Sequence, residues 1–245
     1  MLPGEVQNNK LQLIGKLTAS LIHEIRNPLS VIKLNLDLIK LEDNLSKDIL
    51  DSVNDSLSAT NRIEYMIDNL LSFARVVTHG HEHFSLNKIT SNAIDLLAVK
   101  ANKYGINIVT EFDESLSQIY ADKNKLLQIL LNLITNAIES YNKDCKGDII
   151  IKTSSSEENG NKKIHWSVKD SGVGISEDNI SKIFEDFYTS KVNGTGLGLS
   201  VCKMLADELE VQIEFESKPG HGTIFKVTFD VNRMRKLYEA TNTSN

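Results

Sequence analysis

Apolar residues recur at three- and four-residue steps through two long stretches near the N-terminus, residues 11–41 and about 47–76. That is the helical period, so the pattern predicts two long helices joined by a turn at Glu42-Asp43-Asn44-Leu45-Ser46. In the second, Leu50, Val53, Leu57, Thr60, Ile63 and Ile67 trace a lengthwise seam. A hairpin with a seam on each helix cannot bury all of it against itself, so doubling into a four-helix bundle, as a homodimer, is the expected remedy. After Thr78-His79-Gly80-His81-Glu82-His83 the period changes. Short β-rich runs at 106–112, 148–153, 164–169, 211–216 and 223–229 alternate with helical stretches at 86–104, 123–141 and 195–209. The expected fold class is α+β: a helical hairpin over 1–80, one sheet with helices on one face over 81–232, and a tail or frayed helix over 233–245.

Composition narrows the function. Apolar residues make up 40% and charged residues 24% of 245 positions, which is ordinary globular usage and excludes a disordered chain. Lys and Arg number 27 against 33 Asp and Glu, a formal charge of −6, so nothing in the overall field draws the chain to nucleic acid. Cys145 and Cys202 lie far apart, which suggests neither a disulfide framework nor a zinc site and fits a reducing cytoplasm. No run of eighteen apolar residues occurs, so any membrane attachment is expected only through a region absent from this sequence.

Four constellations carry chemistry. His23-Glu24-Ile25-Arg26-Asn27-Pro28 lies within the first long helix, where Pro28 cannot donate to the carbonyl of Glu24 and loosens the helix beside the histidine. Glu24 can hold one ring nitrogen protonated and leave the other as a nucleophile, and Asn27 can orient a water or an acceptor carboxylate. Read alone, the stretch equally suits a solvent-edge histidine beside a tolerated proline. Asn132 and Asn136, in Asn132-Leu133-Ile134-Thr135-Asn136-Ala137, share a helix face; two amide oxygens there suit Mg²⁺, though taken alone the pair reads better as an ordinary exposed face. Asp170-Ser171-Gly172-Val173-Gly174-Ile175 follows a strand, where the aspartate can accept from the exocyclic amine of adenine, or the run can be a plain turn. Lys191-Val192-Asn193-Gly194-Thr195-Gly196-Leu197-Gly198-Leu199 is a glycine-rich loop entering a helix, suited to phosphate. The loop is neither a P-loop nor a Rossmann fingerprint. Phe184, Phe187 and Tyr188 lie between the last two and suit a hinged cover. Alternating His79, His81 and His83 fit a solvated linker better than a metal site, and Trp166 reads as core or pocket wall.

Taken together, these residues resemble the sensor histidine kinases of two-component systems over nearly the whole chain. His23 to Pro28 matches their H box, 132–137 the N box, 170–174 the first G box, 184–187 the F box and 194–198 the second G box, in the family's order. The resemblance implies a hairpin that dimerises into a four-helix bundle and an α/β sandwich ATPase domain of the gyrase, Hsp90 and MutL (Bergerat) type. It implies that His23 takes the γ-phosphate of Mg²⁺-bound ATP with Glu24 as polarising base. Asn136, helped by Asn132, would hold Mg²⁺. Asp170 would bind the adenine amine with Thr223 beside it, and Gly172, Gly174, Lys191, Gly194, Thr195, Gly196, Leu197 and Gly198 would surround the nucleotide. The phosphoryl group would pass to an aspartate on the receiver domain of a response regulator, and Asn27 matches the residue used when such kinases act as phosphatases. Hydrolysing relatives carry a glutamate where this chain has Asn132, which has no useful basicity toward water. The spacing 189–194 resembles short-lid members. No sensing region is recognisable, so input is expected through a partner or a separated sensor.

Overall fold

The computed structural model describes residues 25–42, 45–57, 59–60, 63, 80–141, 146–158, 160–186, 188–191 and 196–242. His23, Glu24, Gly194, Thr195 and most of the second predicted helix beyond residue 63 lie outside them. The chain divides into two compact units: the described part of Met1–Thr78 with Asp186–Leu197, and His79–Glu185 with Gly198–Asn245.

In the first unit, residues 25–40 (α1) and 47–57 (α2) are helical. The amide of Ile49 reaches Ser46 Oγ at 3.4 Å and that of Leu50 the Ser46 carbonyl at 3.0 Å, so Ser46 caps α2. Leu29 and Val53 are buried, whereas Ile25, Val31, Leu34, Leu38 and Leu41 stay exposed in the single chain. A helix with that much apolar surface uncovered is an incomplete core.

The second unit runs β1 (Glu82–Phe84), α3 (Leu86–Lys103), β2 (Ile106–Glu111), β3 (Ile119–Ala121), α4 (Lys123–Ile138), β4 (Gly147–Glu158), β5 (Asn161–Lys169), α5 (Glu177–Ile180), α6 (Gly198–Glu208), β6 (Gln212–Lys218), β7 (Gly222–Asp230) and α7 (Val231–Asn242). Ser85 accepts the amide of Lys88 to cap α3, and Asp122 accepts those of Asn124 and Lys125 to cap α4. The main sheet has the order β2-β4-β5-β7-β6, parallel only between β2 and β4. Its registers lay Ile151, Val168, Phe225 and Phe215 in one cross-strand row and Thr153, Trp166, Val227 and Ile213 in the next. These rows face the helices. The neighbouring row, Lys152, Ser167, Lys226 and Glu214, is polar, so one face is core and the other is wet. α4 is the helical centre of that core, with Leu126, Ile129, Leu130, Leu133 and Ile134 fully buried.

Five expectations need correction. The sheet is not single, because β1 and β3 pair antiparallel as a separate two-stranded ladder. The stretch 78–83 is not all linker: His81 and His83 lie against the ring of Tyr120 at 5.5 and 4.9 Å. β4 continues past 153 through a polar run, because β5 offers it a ladder as far as Glu158 opposite Asn161. α6 starts at Gly198 rather than Thr195, since Gly196 has φ 71° and cannot belong to a helix. The stretch expected as a tail or frayed helix is α7, whose Met234 is buried and whose Tyr238 meets His83 and Tyr120 edge-on at 4.9 and 5.1 Å.

Leu130→Ala, at the fully buried centre of α4, is expected to lower the free energy of unfolding by about 3 kcal/mol. Val99→Ala on exposed α3 should change it by less than about 0.5 kcal/mol. Urea unfolding of the two variants measures the contrast, and equal effects would contradict the packing of α4.

Candidate functional site

Asp170 immediately follows β5 and is only 3% exposed. Its Oδ1 accepts three donors: the amide of Gly172 at 2.9 Å, the Ser140 hydroxyl at 2.9 Å and the amide of Thr223 at 3.3 Å. A fourth bond runs from the Asp170 amide to the Thr223 carbonyl at 2.9 Å. The plane of the carboxylate is thereby set by main chain from two directions and by a hydroxyl from a third. Burying a carboxylate is costly unless it is bonded in this way.

The glycines make the close approach possible. A Cβ on Gly172 would run into Ser140 Oγ and lie 2.5 Å from the Ser140 carbonyl oxygen. Gly222 has φ 90°, and a Cβ there would fall against the Asp170 carbonyl, with Ser171 Cα at 2.7 Å. Gly174, φ 69°, comes equally close to the carbonyl of Lys218 at the β6–β7 turn. Thr223, 6% exposed, joins its hydroxyl to Ser217 Oγ at 2.8 Å, and Ser217 Oγ in turn accepts the amide of Ile175 at 2.9 Å. Asp170, Gly172 and Thr223 are therefore one hydrogen-bonded assembly at one end of the sheet, with Gly174 packed close against the β6–β7 turn beside it.

Two residues of this assembly are not marked by the sequence pattern. Ser140 falls within a helix expected to run to 141, whereas α4 stops at Ile138 and Ser140 turns its hydroxyl to the Ala137 carbonyl (2.8 Å) and to Asp170. Its own carbonyl accepts the amide of Val173 at 3.0 Å. Tyr141, next in sequence, accepts the amide of Ser171 at 2.8 Å and donates to the Asp148 carbonyl at 2.7 Å. Burial pushes its phenol up, so it stays a donor throughout the physiological range. No sequence signal distinguishes either residue from a helix end.

Asn132 is buried in α4, and its Nδ2 donates to the Gly198 carbonyl at 3.2 Å while its Oδ1 accepts from Gln128 Nε2 at 3.4 Å. It thus ties α4 to the first residue of α6. Asn136, one turn on, is half-buried. Among the described residues no group of three or more His, Cys, Asp or Glu could hold a metal ion; Asn132 and Asn136 themselves carry neutral amide oxygens. That donor set fits Mg²⁺ arriving with a phosphate ligand rather than a free-standing ion site.

Lys191, Gly196 and Leu197 belong to the other unit; there the Lys191 amide bonds to Thr189 Oγ1 at 3.1 Å. Gly198 opens α6. Asn27 is exposed on α1. Trp166 is fully buried in β5 with its indole N–H unpaired, a wall of the core.

Residues 121–233 match the family model of histidine kinase-, DNA gyrase B- and HSP90-like ATPases, and residues 13–78 the His Kinase A (phospho-acceptor) domain. Sporulation kinase A of Bacillus subtilis is 37% identical over 225 residues, which are 91% of this chain and 36% of that protein. The catalytic domain of histidine kinase ThkA is similar in structure, with TM-score 0.53, 33% identity, and coverage of 62% of this chain and 97% of that one. ThkA in complex with response regulator protein TrrA gives TM-score 0.59 and 27% identity, over 91% of this chain and 63% of that one. The chain thus spans about a third of the length of sporulation kinase A. Among the described residues no helix is long and apolar enough to cross a membrane.

Cys202, on α6, donates to the Ile129 carbonyl, and burial pushes its thiol up to about 12, offset in part by a hydrogen bond with Asn132. In a Cys145→Ser background at pH 8, the folded protein should leave a disulfide thiol reagent unconsumed and react with one equivalent after unfolding. Reaction of the folded protein at the speed of a free thiol would contradict this seam between α4 and α6.

Proposed function

Because the chain belongs to the two-component sensor histidine kinases, as their phosphoacceptor and ATPase core, we propose that it phosphorylates its own His23 from ATP and passes the group to a response regulator. The observation that carries the reading is the buried Asp170 assembly, in a chain whose N-terminal part matches a phosphoacceptor domain.

Asp170 accepts the adenine amine, with Thr223 supporting the same edge of the base. Gly172 and Gly174 keep the backbone low enough for a flat ring to lie against it. Gly194, Thr195, Gly196, Leu197 and Gly198 offer amides to the phosphates, and Lys191 adds a point charge. Asn136, backed by Asn132, would hold Mg²⁺, which would supply positive charge against the phosphates. His23 attacks the γ-phosphorus with its free ring nitrogen: a P–N bond forms, the bond from phosphorus to the β,γ-bridging oxygen breaks, and ADP leaves with that oxygen. Glu24 holds the other ring nitrogen's proton and stabilises the imidazolium that develops.

The exposed apolar residues of α1 are covered by a second copy in a four-helix bundle. The phosphoryl group then moves from His23 to a receiver-domain aspartate, and Asn27, exposed on α1, orients the water that hydrolyses the aspartyl phosphate to inorganic phosphate in the opposing phosphatase reaction. The core works in the cytoplasm.

Incubated with γ-labelled ATP and Mg²⁺, the protein should acquire label that survives base and is lost in acid, and His23→Gln should acquire none. Label on both proteins would reject His23 as acceptor. Release of inorganic phosphate by both, without protein-bound label, would instead favour a free-standing ATPase.

A further inference from the structure

We propose that Ser140 is a positioning residue for nucleotide selection, acting through Asp170; this rests on the adenine reading of Asp170 given above. Ser140 leaves α4 so that its hydroxyl, whose one proton is shared between the Ala137 carbonyl at 2.8 Å and Asp170 Oδ1 at 2.9 Å, joins the network, while its carbonyl holds the amide of Val173. It brings a side-chain donor to that oxygen beside the amides of Gly172 and Thr223. The two amides belong to the turn and to β7, so they move with the backbone, whereas the hydroxyl ties the carboxylate to the end of α4. The site is built around it: Gly172 has no Cβ because the place that atom would take is filled by Ser140. A carboxylate with its rotation fixed presents an acceptor in a constant direction. That favours a base with an amine at that edge over one bearing a hydrogen or a carbonyl.

The test compares ATP with purine riboside triphosphate, which differs by lacking the 6-amino group, on the full chain by calorimetry and by ATP dependence of autophosphorylation. Ser140→Ala should weaken ATP roughly tenfold. It should leave purine riboside triphosphate within about twofold, raising KM for ATP with kcat little changed. Tyr141→Phe, which removes the brace on the Ser171 amide without touching Asp170, should shift both nucleotides alike. Equal weakening of both nucleotides by Ser140→Ala, or no weakening of either, overturns the proposal. A parent protein that binds both equally well instead overturns the adenine reading itself. Should Ser140→Ala not fold, Ser140→Cys, which keeps a small but weaker donor, replaces it: selective weakening of ATP supports the proposal, and equal or absent weakening overturns it.

Discussion

A carboxylate buried at the end of a strand constrains everything around it. Asp170 is nearly sealed from water, and an ionised carboxyl in that position is tolerable only if protein donors replace the water it has lost. Three donors converge on one oxygen, and two of them are main-chain amides that reach it only because glycines at 172 and 222 let neighbouring strands and turns come closer than any Cβ allows. The third requires α4 to end where it does, so that Ser140 faces the turn instead of adding a further helical residue. One charge thus dictates a helix terminus, a turn and a hairpin register.

The same economy runs through the core. α4 buries a broad apolar face, and polar residues in it and just beyond its end tie it to other elements: Asn132 reaches α6, and Ser140 and Tyr141 reach the turn after β5. The sheet behind it is apolar on the helix side and polar on the other, so α4 has one direction in which to pack. Positions that a ligand would meet are set by the most deeply buried helix, which is the element least free to move.

Much of this is legible in the chain itself. Periodicity separates the hairpin from the α/β part, and the run Asp170 to Gly174 marks the site because glycine spacing after a strand signals close backbone approach. What is not legible has physical causes. The end of β4 is polar and follows no alternation, and it is a strand only because β5 pairs with it, a non-local stabilisation that local propensity does not encode. The start of α6 depends on a left-handed glycine at 196, one of several glycines that could have ended the loop. α7 looks like a polar tail because most of it faces water, with a few side chains such as Met234 and Tyr238 supplying its contacts. Ser140 is hidden because a serine at a helix end has many uses, and only the fold brings it 2.9 Å from Asp170 across 30 residues of sequence.

Asn132 brings fold and chemistry to the same requirement. The Gly198 carbonyl, at the entrance to α6, needs a donor, and the amide of Asn132 supplies one at 3.2 Å while its oxygen takes one from Gln128. A glutamate in that place would set an ionised acceptor against a carbonyl oxygen, losing a hydrogen bond and adding repulsion in a buried setting. It would also bring a base and a negative charge beside the position proposed for ATP phosphates, where an attacking water could use the one and the phosphates would oppose the other. An amide avoids all four, so the residue that joins α4 to α6 also leaves the proposed site without a base for water. The proposed phosphoryl group then has the protein's own nucleophile, His23, as the better acceptor.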